Sequence, residues 1–333
     1  MRRLPIILFS LLAACSADVV APRSTTIADK LSSGNLSGDL SILKNSGELV
    51  VWGDNSAQQI SDAPVNDAIS QIATGGARQG LVIRDDGSLV LWGSVGVTGA
   101  IPPLPASLAA DRYRSAYLSL SYLQAVRLNH SVMTWGAFFD GRPATPPAGL
   151  RAVQVAGGSQ HGVALEVSGR LVTWGTGPAA IPAPAGKFSA VGGRTSYSIA
   201  LRRDGTLFGW GTVPLAPDAF NAWVSDGAGH FYVANEQFVS LAAGNNHIIA
   251  LRADGSVAGW GTNGFGQITA PTNVHFTEIA AGLGYSIGLD AQGLIHHWGD
   301  ASNGTGLVPP GQFATIAAGA RHASALRALA PHK

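Results

Sequence analysis

An all-β, seven-bladed β-propeller is the fold this sequence predicts, on three observations. First, a Trp-Gly pair recurs seven times, at Trp52, Trp92, Trp135, Trp174, Trp210, Trp260 and Trp298, with successive tryptophans 40, 43, 39, 36, 50 and 38 residues apart. A unit of that period is too small to bury its own apolar face and survives by stacking on copies of itself. Second, runs such as Leu49-Val50-Val51-Trp52 and Leu171-Val172-Thr173-Trp174 are apolar on both alternating faces, as strands covered on both sides are. Third, a small-residue segment recurs, as in Val155-Ala156-Gly157-Gly158, Leu241-Ala242-Ala243-Gly244, Ile279-Ala280-Ala281-Gly282 and Ile316-Ala317-Ala318-Gly319, and small side chains suit a strand beside a crowded axis. Small sheets set radially around that axis satisfy all three, because each presents both faces to neighbours and leaves only short edges.

Each repeat then reads in a fixed order. The small-residue strand leads through a polar loop to His or Tyr, four residues before an apolar anchor. That anchor (Leu43, Ile83, Val126, Leu165, Leu201, Leu251 or Leu289) precedes the tryptophan by nine positions in every repeat, so length variation lies elsewhere. Between anchor and tryptophan a turn is expected, with glycine five residues before the tryptophan in six of the seven repeats, as in Arg203-Asp204-Gly205. Glycine permits the positive φ of tight hairpins, and Asp or Asn supports the turn with a local hydrogen bond. The third repeat has Asn129-His130 there, and a different turn type is expected, because histidine rarely takes positive φ. The glycine after each tryptophan gives the backbone room to leave the strand, and Pro-rich crossings lead to the next blade.

The ends complete the count. Seven Trp-Gly strands stand against eight candidates for the Ala-Leu strand, including Ser41-Ile42-Leu43 and Ala323-Ser324-Ala325-Leu326. Both chain ends are therefore expected to build one composite blade that latches the ring, with one of these two segments marginal or at the outer edge.

Ile-Ala-Ala-Gly, then His or Tyr, Ala-Leu, Asp-Gly and Trp-Gly resembles the repeat of the regulator of chromosome condensation (RCC1) superfamily of seven-bladed propellers, over roughly residues 39 to 327. The crossing Trp260-Gly261-Thr262-Asn263-Gly264-Phe265-Gly266-Gln267-Ile268-Thr269-Ala270-Pro271 and the short period are more similar to the secreted bacterial branch that includes β-lactamase inhibitor protein II. The resemblance is specific for fold and weak for function, since the superfamily holds exchange factors, inhibitors and envelope proteins alike.

The N-terminus reads as an export signal: Met1-Arg2-Arg3 is basic, Leu4 to Leu12 apolar, and Leu12-Ala13-Ala14-Cys15 resembles the lipobox of bacterial lipoproteins. Residues 1–14 are expected to be a signal peptide, with Cys15 the acylated first residue of the mature chain. Ser16 resembles the outer-membrane rather than the inner-membrane pattern. Residues 15–38 read as a flexible tether and 39–330 as the propeller. Cys15 is the only cysteine, so no disulfide staples the domain.

Charge gives little direction. With 21 basic and 20 acidic residues there is no basic field for nucleic acid. No phosphate loop, nucleophile elbow or convergent acid pair appears, so no enzyme activity, catalytic residue or cofactor is expected. Tyr122, Tyr197 and Tyr285 stand where other repeats carry His161, His247 and His322; a structural hydrogen-bonding role explains that exchange and zinc ligation does not. His296 and His297 are adjacent on a strand and face opposite ways, so no metal is expected.

Candidate binding residues lie where repeats differ. The loops before each His or Tyr should cluster at one end of the ring and offer Arg78, Gln160, Arg194, Ser196, Asn246, Tyr285 and Arg321, with Arg78, Arg194 and Arg321 a candidate anion-attracting set. In the inhibitor branch the corresponding loops carry more aromatics, which grip the enzyme; these are more polar. Phe138 and Phe139 cannot both point inward, so one is expected outside. The long unit between Trp210 and Trp260 carries Trp223, Phe231 and Tyr232, read either as an inserted hairpin with aromatic anchors or as a degenerate blade whose aromatics fill its own core.

The expected function is a non-catalytic scaffolding or binding propeller, lipid-anchored to the bacterial outer membrane, monomeric, with an envelope protein or glycan as partner and no nucleic acid. The alternative is an inhibitor of the β-lactamase inhibitor protein II type. Guanine-nucleotide exchange would need cytosolic access, which the export signal contradicts.

Overall fold

The computed structural model describes residues 47–65, 67–73, 76, 78–93, 101–214 and 223–328. The expected signal (residues 1–14), Cys15, the expected tether (15–38) and Ser41-Ile42-Leu43 lie outside the described residues. Within them the chain forms seven antiparallel sheets. Blade 1 is Ile69–Ala73, Gln79–Arg84 and Leu89–Gly93; blade 2 is Tyr113–Leu118, Tyr122–Arg127 and Val132–Gly136. Blade 3 is Ala152–Gly157, His161–Glu166 and Leu171–Gly175; blade 4 begins with Phe188–Arg194, Tyr197–Arg202 and Leu207–Gly211. Blade 5 is Ser240–Ala243, His247–Leu251 and Val257–Gly261; blade 6 is Phe276–Ala281, Tyr285–Asp290 and Ile295–Gly299. The first strand of each blade contacts the first strand of the next all the way round, which closes the ring with the small-residue strands innermost.

Blade 7 is composite. Phe313–Ala318 and His322–Arg327 come from the C-terminal end, and Leu49–Gly53 pairs outside them with Trp52 opposite Ala323. The two chain ends thus share one blade, as the strand count predicts, with Ala323-Ser324-Ala325-Leu326 in its central strand; the other candidate segment, Ser41-Ile42-Leu43, lies outside the described residues.

The core is not one mass but a series of layers between blades. In blade 5, Leu241 and Ile248 pack towards Leu201 and Leu207 of blade 4, whereas Ala242 and Ile249 pack towards Ile279 and Phe276 of blade 6. Successive residues of one strand serve opposite layers, which is why these strands are apolar on both faces. Each buried large side chain contributes about 1.5–3 kcal/mol.

Tryptophan and its glycine have separate tasks. The indoles of Trp52, Trp92, Trp135, Trp174 and Trp210 donate to Thr305 O, Gln59 O, Pro102 O, Ala144 O and Ala179 O at 2.8–3.2 Å, pinning the crossing that enters each blade. All seven following glycines take φ between 84° and 108°, a region closed to other residues without strain.

The hairpin turn also hooks blade to blade. Gly87 O, Gly169 O, Gly205 O, Gly255 O and Gly293 O accept the N–H that starts the next blade's inner strand or lies just before it, at 2.7–2.8 Å. Here one expectation is corrected: His130 adopts φ 71° and makes the same turn rather than a different one. Asn129 Oδ1 supports it by accepting from Ser131 N, His130 O accepts the Ala152 N–H at 2.9 Å, and the His130 ring meets Arg114 and Ala152 O. Left-handed strain of about 1–2 kcal/mol is offset by these bonds.

The long unit resolves into both of its readings at once. Trp223–Ser225 and His230–Val233 form a hairpin that extends blade 4 to five strands beyond Leu207–Gly211. Its aromatics face inward: Trp223 is buried edge-on to Trp260 of blade 5, and Tyr232 stacks on Phe208.

Candidate functional site

The ring has two unlike ends. At the turn end, a cleft of about 490 Å³ lies among blades 3 to 5, lined by Glu166, Arg202, Arg203, Phe188 and Phe238 among others. Arg202 stacks over Phe208 at 4.2 Å and Glu166 is bonded to Arg170. None of the candidate residues lies there.

The loop end is built on a belt of backbone hydrogen bonds. In five blades the residue after Trp-Gly donates to the loop before the ring His or Tyr of its own blade: Thr176 N to Gln160 O, Thr212 N to Ser196 O, Thr262 N to Asn246 O, Asp300 N to Gly284 O and Asp54 N to Arg321 O, all at 2.7–2.9 Å. Between blades, Ser159 N donates to Thr195 O, Asn245 N to Gly282 O and Leu283 N to Ala320 O. Side chains leaving this belt are held on a fixed circle.

Beneath it the ring histidines and tyrosines alternate in a relay. Tyr122 donates to His161 O, Tyr197 to Gly244 O and His247 O, and Tyr285 to Gly319 O and His322 O, each reaching the next blade. His161 Nε2 instead meets Ser198 Oγ of blade 4 at 2.8 Å, and His247 Nε2 meets Ser286 Oγ of blade 6 at 2.9 Å. Tyrosine thus precedes blades without a serine at this register, and histidine precedes those with one. His322 is the exception, because blade 1 offers Gly80 at that place, where a Cβ would strike the Trp92 indole. Burial pushes the three histidines down to about 4 and lifts the tyrosines above their usual range, so all are neutral near pH 7. Replacing Ser286 by Ala strands the His247 ring nitrogen and is expected to lower stability by about 1–3 kcal/mol in urea unfolding.

The candidate residues separate by exposure. Arg78, Asn246 and Arg321 are exposed on the belt, and Gln160 and Ser196 are half-buried. Phe139 is 73% exposed, with its N–H donating to Ser159 O, whereas Phe138 is buried edge-on to Tyr122. Phe231 and Tyr232 are half-buried. As surface contacts, Phe138, Tyr285, Trp223 and Arg194 are corrected: all four are buried, the first three in the interblade layers. Arg194 is the last residue of an inner strand, opposite Tyr197, two residues before the position that Arg78 and Arg321 occupy in their blades. It therefore does not share their circle. Phe265, 63% exposed, is a surface aromatic at this end that the sequence reading passed over; its place between Gly264 and Gly266, in a turn, was the available sign. Among the described residues no cluster of three metal-ligating side chains occurs.

Seven stitched blades in a ring give the seven-bladed propeller fold of the RCC1-like solved structures. Residues 238–267 match the regulator of chromosome condensation (RCC1) repeat. Prp20p of Saccharomyces cerevisiae, described by its binding to Gsp1p and histones, superposes with a TM-score of 0.68 at 16% identity, covering 92% of this chain and 95% of that one. Human WBSCR16 gives 0.63 at 17% identity, covering 85% and 99%. The ectodomain of the Arabidopsis thaliana receptor kinase ACR4 gives 0.61 at 18%, covering 80% and 95%. At such identities the likeness is one of fold. No curated protein matches the chain.

Proposed function

We propose that this protein is a non-catalytic binding propeller, held at the bacterial envelope by a lipid on Cys15, that recruits a protein or glycan partner with its loop end. The carrying observation is that Arg78, Asn246, Arg321, Phe139 and Phe265 stand exposed at the same end of the ring on, or next to, a rigid hydrogen-bonded belt. Exposed arginine and aromatic side chains on a fixed frame lose little freedom on binding and are enriched among residues that dominate interfaces. The yeast propeller of the same fold is described by its protein partners, which supports a protein rather than a glycan here. Phe139 and Phe265 also favour a second reading, an enzyme inhibitor that inserts aromatics from this end.

Capture from envelope extract with the full chain tests the proposal. The wild type is expected to retain a partner that the Arg78→Ala/Arg321→Ala/Phe139→Ala variant loses by tenfold or more, and Cys15→Ala is expected to release the protein from the membrane fraction. Equal capture by both forms rejects the loop end as the binding face; if the retained partner is an enzyme whose turnover falls on binding, the inhibitor reading replaces scaffolding.

A further inference from the structure

Arg194 occupies a register position at which other blades carry almost nothing. The residue opposite the ring His or Tyr is Gly158 in blade 3, Gly244 in blade 5, Gly282 in blade 6, Gly319 in blade 7 and Ser119 in blade 2. At each of those glycines a Cβ would press on the ring histidine or tyrosine of its own blade. Only blade 4, among the described residues, sends a long side chain from this point, at the loop end of an innermost strand.

That side chain carries a buried, unanswered charge. Arg194 is 4% exposed, and its Nη2 is sealed from solvent without a hydrogen-bond partner among the described residues. No described carboxylate forms an ion pair with it; Asp54, at this end, interacts electrostatically with Arg321 and His322. The guanidinium acts electrostatically on Tyr197 of its own blade and on His247, Tyr285 and His322 of blades 5, 6 and 7. Desolvating a guanidinium without a counter-charge costs several kcal/mol. His322, fully buried, has both ring nitrogens unpartnered, because blade 1 supplies Gly80 where blades 4 and 6 supply serine. A neutral imidazole there still owns one N–H to give.

From this geometry we infer that the loop end of the inner strands holds a binding site for a single carboxylate, gripped by the Arg194 fork and completed by an N–H from His322. The charge balance selects the class. One cation among neutral histidines and tyrosines matches a monoanion, and the planar guanidinium matches a carboxylate in bidentate fashion. A phosphate, carrying about −1.5 to −2, would leave a net negative charge buried. The carboxylate belongs either to a small free acid or to a chain terminus entering from the loop end. The inference rests on the binding role proposed above but is separable from it.

Thermal unfolding of the full chain at pH 7 is followed with acetate against chloride at matched ionic strength. The expected result is a saturating, acetate-specific rise in melting temperature, as linkage requires of a ligand that binds the folded state. Arg194→Met, of similar length and uncharged, is expected to weaken acetate at least about tenfold, and Arg194→Lys, which lacks the fork, by an intermediate factor. A glycine-terminated peptide tested as free acid and as amide separates the sources: discrimination between them, with affinity above acetate, assigns a chain terminus, and affinity equal to acetate assigns a small acid. Arg78→Ala/Arg321→Ala is expected to lose partner capture and keep acetate binding, so the two readings fail independently. Equal shifts with acetate and chloride in the wild type, or an acetate shift retained in Arg194→Met, overturn the inference. Should Arg194→Met not fold, the wild-type anion comparison and its weakening in Arg194→Lys decide the matter.

Discussion

Removing residues 313–333 is expected to abolish the cooperative thermal transition, not merely to lower it. The deletion takes two of the three strands of blade 7 and leaves Leu49–Gly53 with nothing to pair against. In an open array the loss of a terminal repeat costs one interface; in this ring it costs two. Phe313 and Ile316 pack against Tyr285 and Ile287 of blade 6, while Ala317 and Leu326 pack against Ile69 and Ile72 of blade 1. Several large side chains at about 1.5–3 kcal/mol each approach the 5–15 kcal/mol by which a folded domain is typically stable. Trp52→Ala is the graded form of the experiment. It removes the indole that holds Thr305 O across the closure and is expected to cost about 3–5 kcal/mol. Differential scanning calorimetry reads both, and a cooperative melt retained by the deletion variant would contradict closure through the chain ends.

Acid is expected to unfold the protein well above the pH at which its carboxylates titrate. His161, His247 and His322 are buried, and burial pushes their folded pKa from 6.5 to about 4. The folded value lies below the unfolded one, so the unfolded chain binds more protons between these limits. Stability is therefore complete above about pH 6.5 and is lost as pH falls towards 4. Each histidine contributes on the order of 3 kcal/mol across that window, and three together rival the whole stability of the domain. Turn carboxylates act lower: hydrogen bonds from Ser88 hold Asp86 below the usual range, and those from Ser256 do so for Asp254, so their protonation adds only beneath about pH 4. Urea unfolding between pH 7 and 5 is expected to show an uptake of up to three protons, reduced by about one in His322→Gln. A pH-independent midpoint over that range would show that these rings are not held neutral by burial.

The fold was legible because its determinants repeat. Spacing from anchor to tryptophan, the Trp-Gly glycine and the small-residue strand each encode a local geometry that seven copies make unmistakable, and the uneven strand count revealed the composite blade. The turn at His130 was misread because propensity there opposes tertiary demand: its carbonyl must hook Ala152, and the hook fixes φ. Arg194 was placed on the wrong circle because it pairs with Tyr197 three residues further on, whereas Arg78 and Arg321 directly precede the matching positions Gln79 and His322, and only the register separates the two places. Trp223 illustrates the opposite difficulty. Its chemistry suits an exposed anchor, and only the pairing of its hairpin onto blade 4 turns it towards Trp260.

The composite blade also sets an order of assembly. During synthesis, Leu49–Gly53 leaves the ribosome first among the described strands and its partner strand, His322–Arg327, emerges only after the other six sheets. Six sheets can form on the growing chain while one bare edge waits, and an unpaired edge invites pairing with another nascent chain. Residues 313–327 therefore act as a molecular clasp whose fastening is also a proofreading event: a product truncated before them remains an open crescent with two exposed apolar layers, recognisable to chaperones and proteases as unfinished.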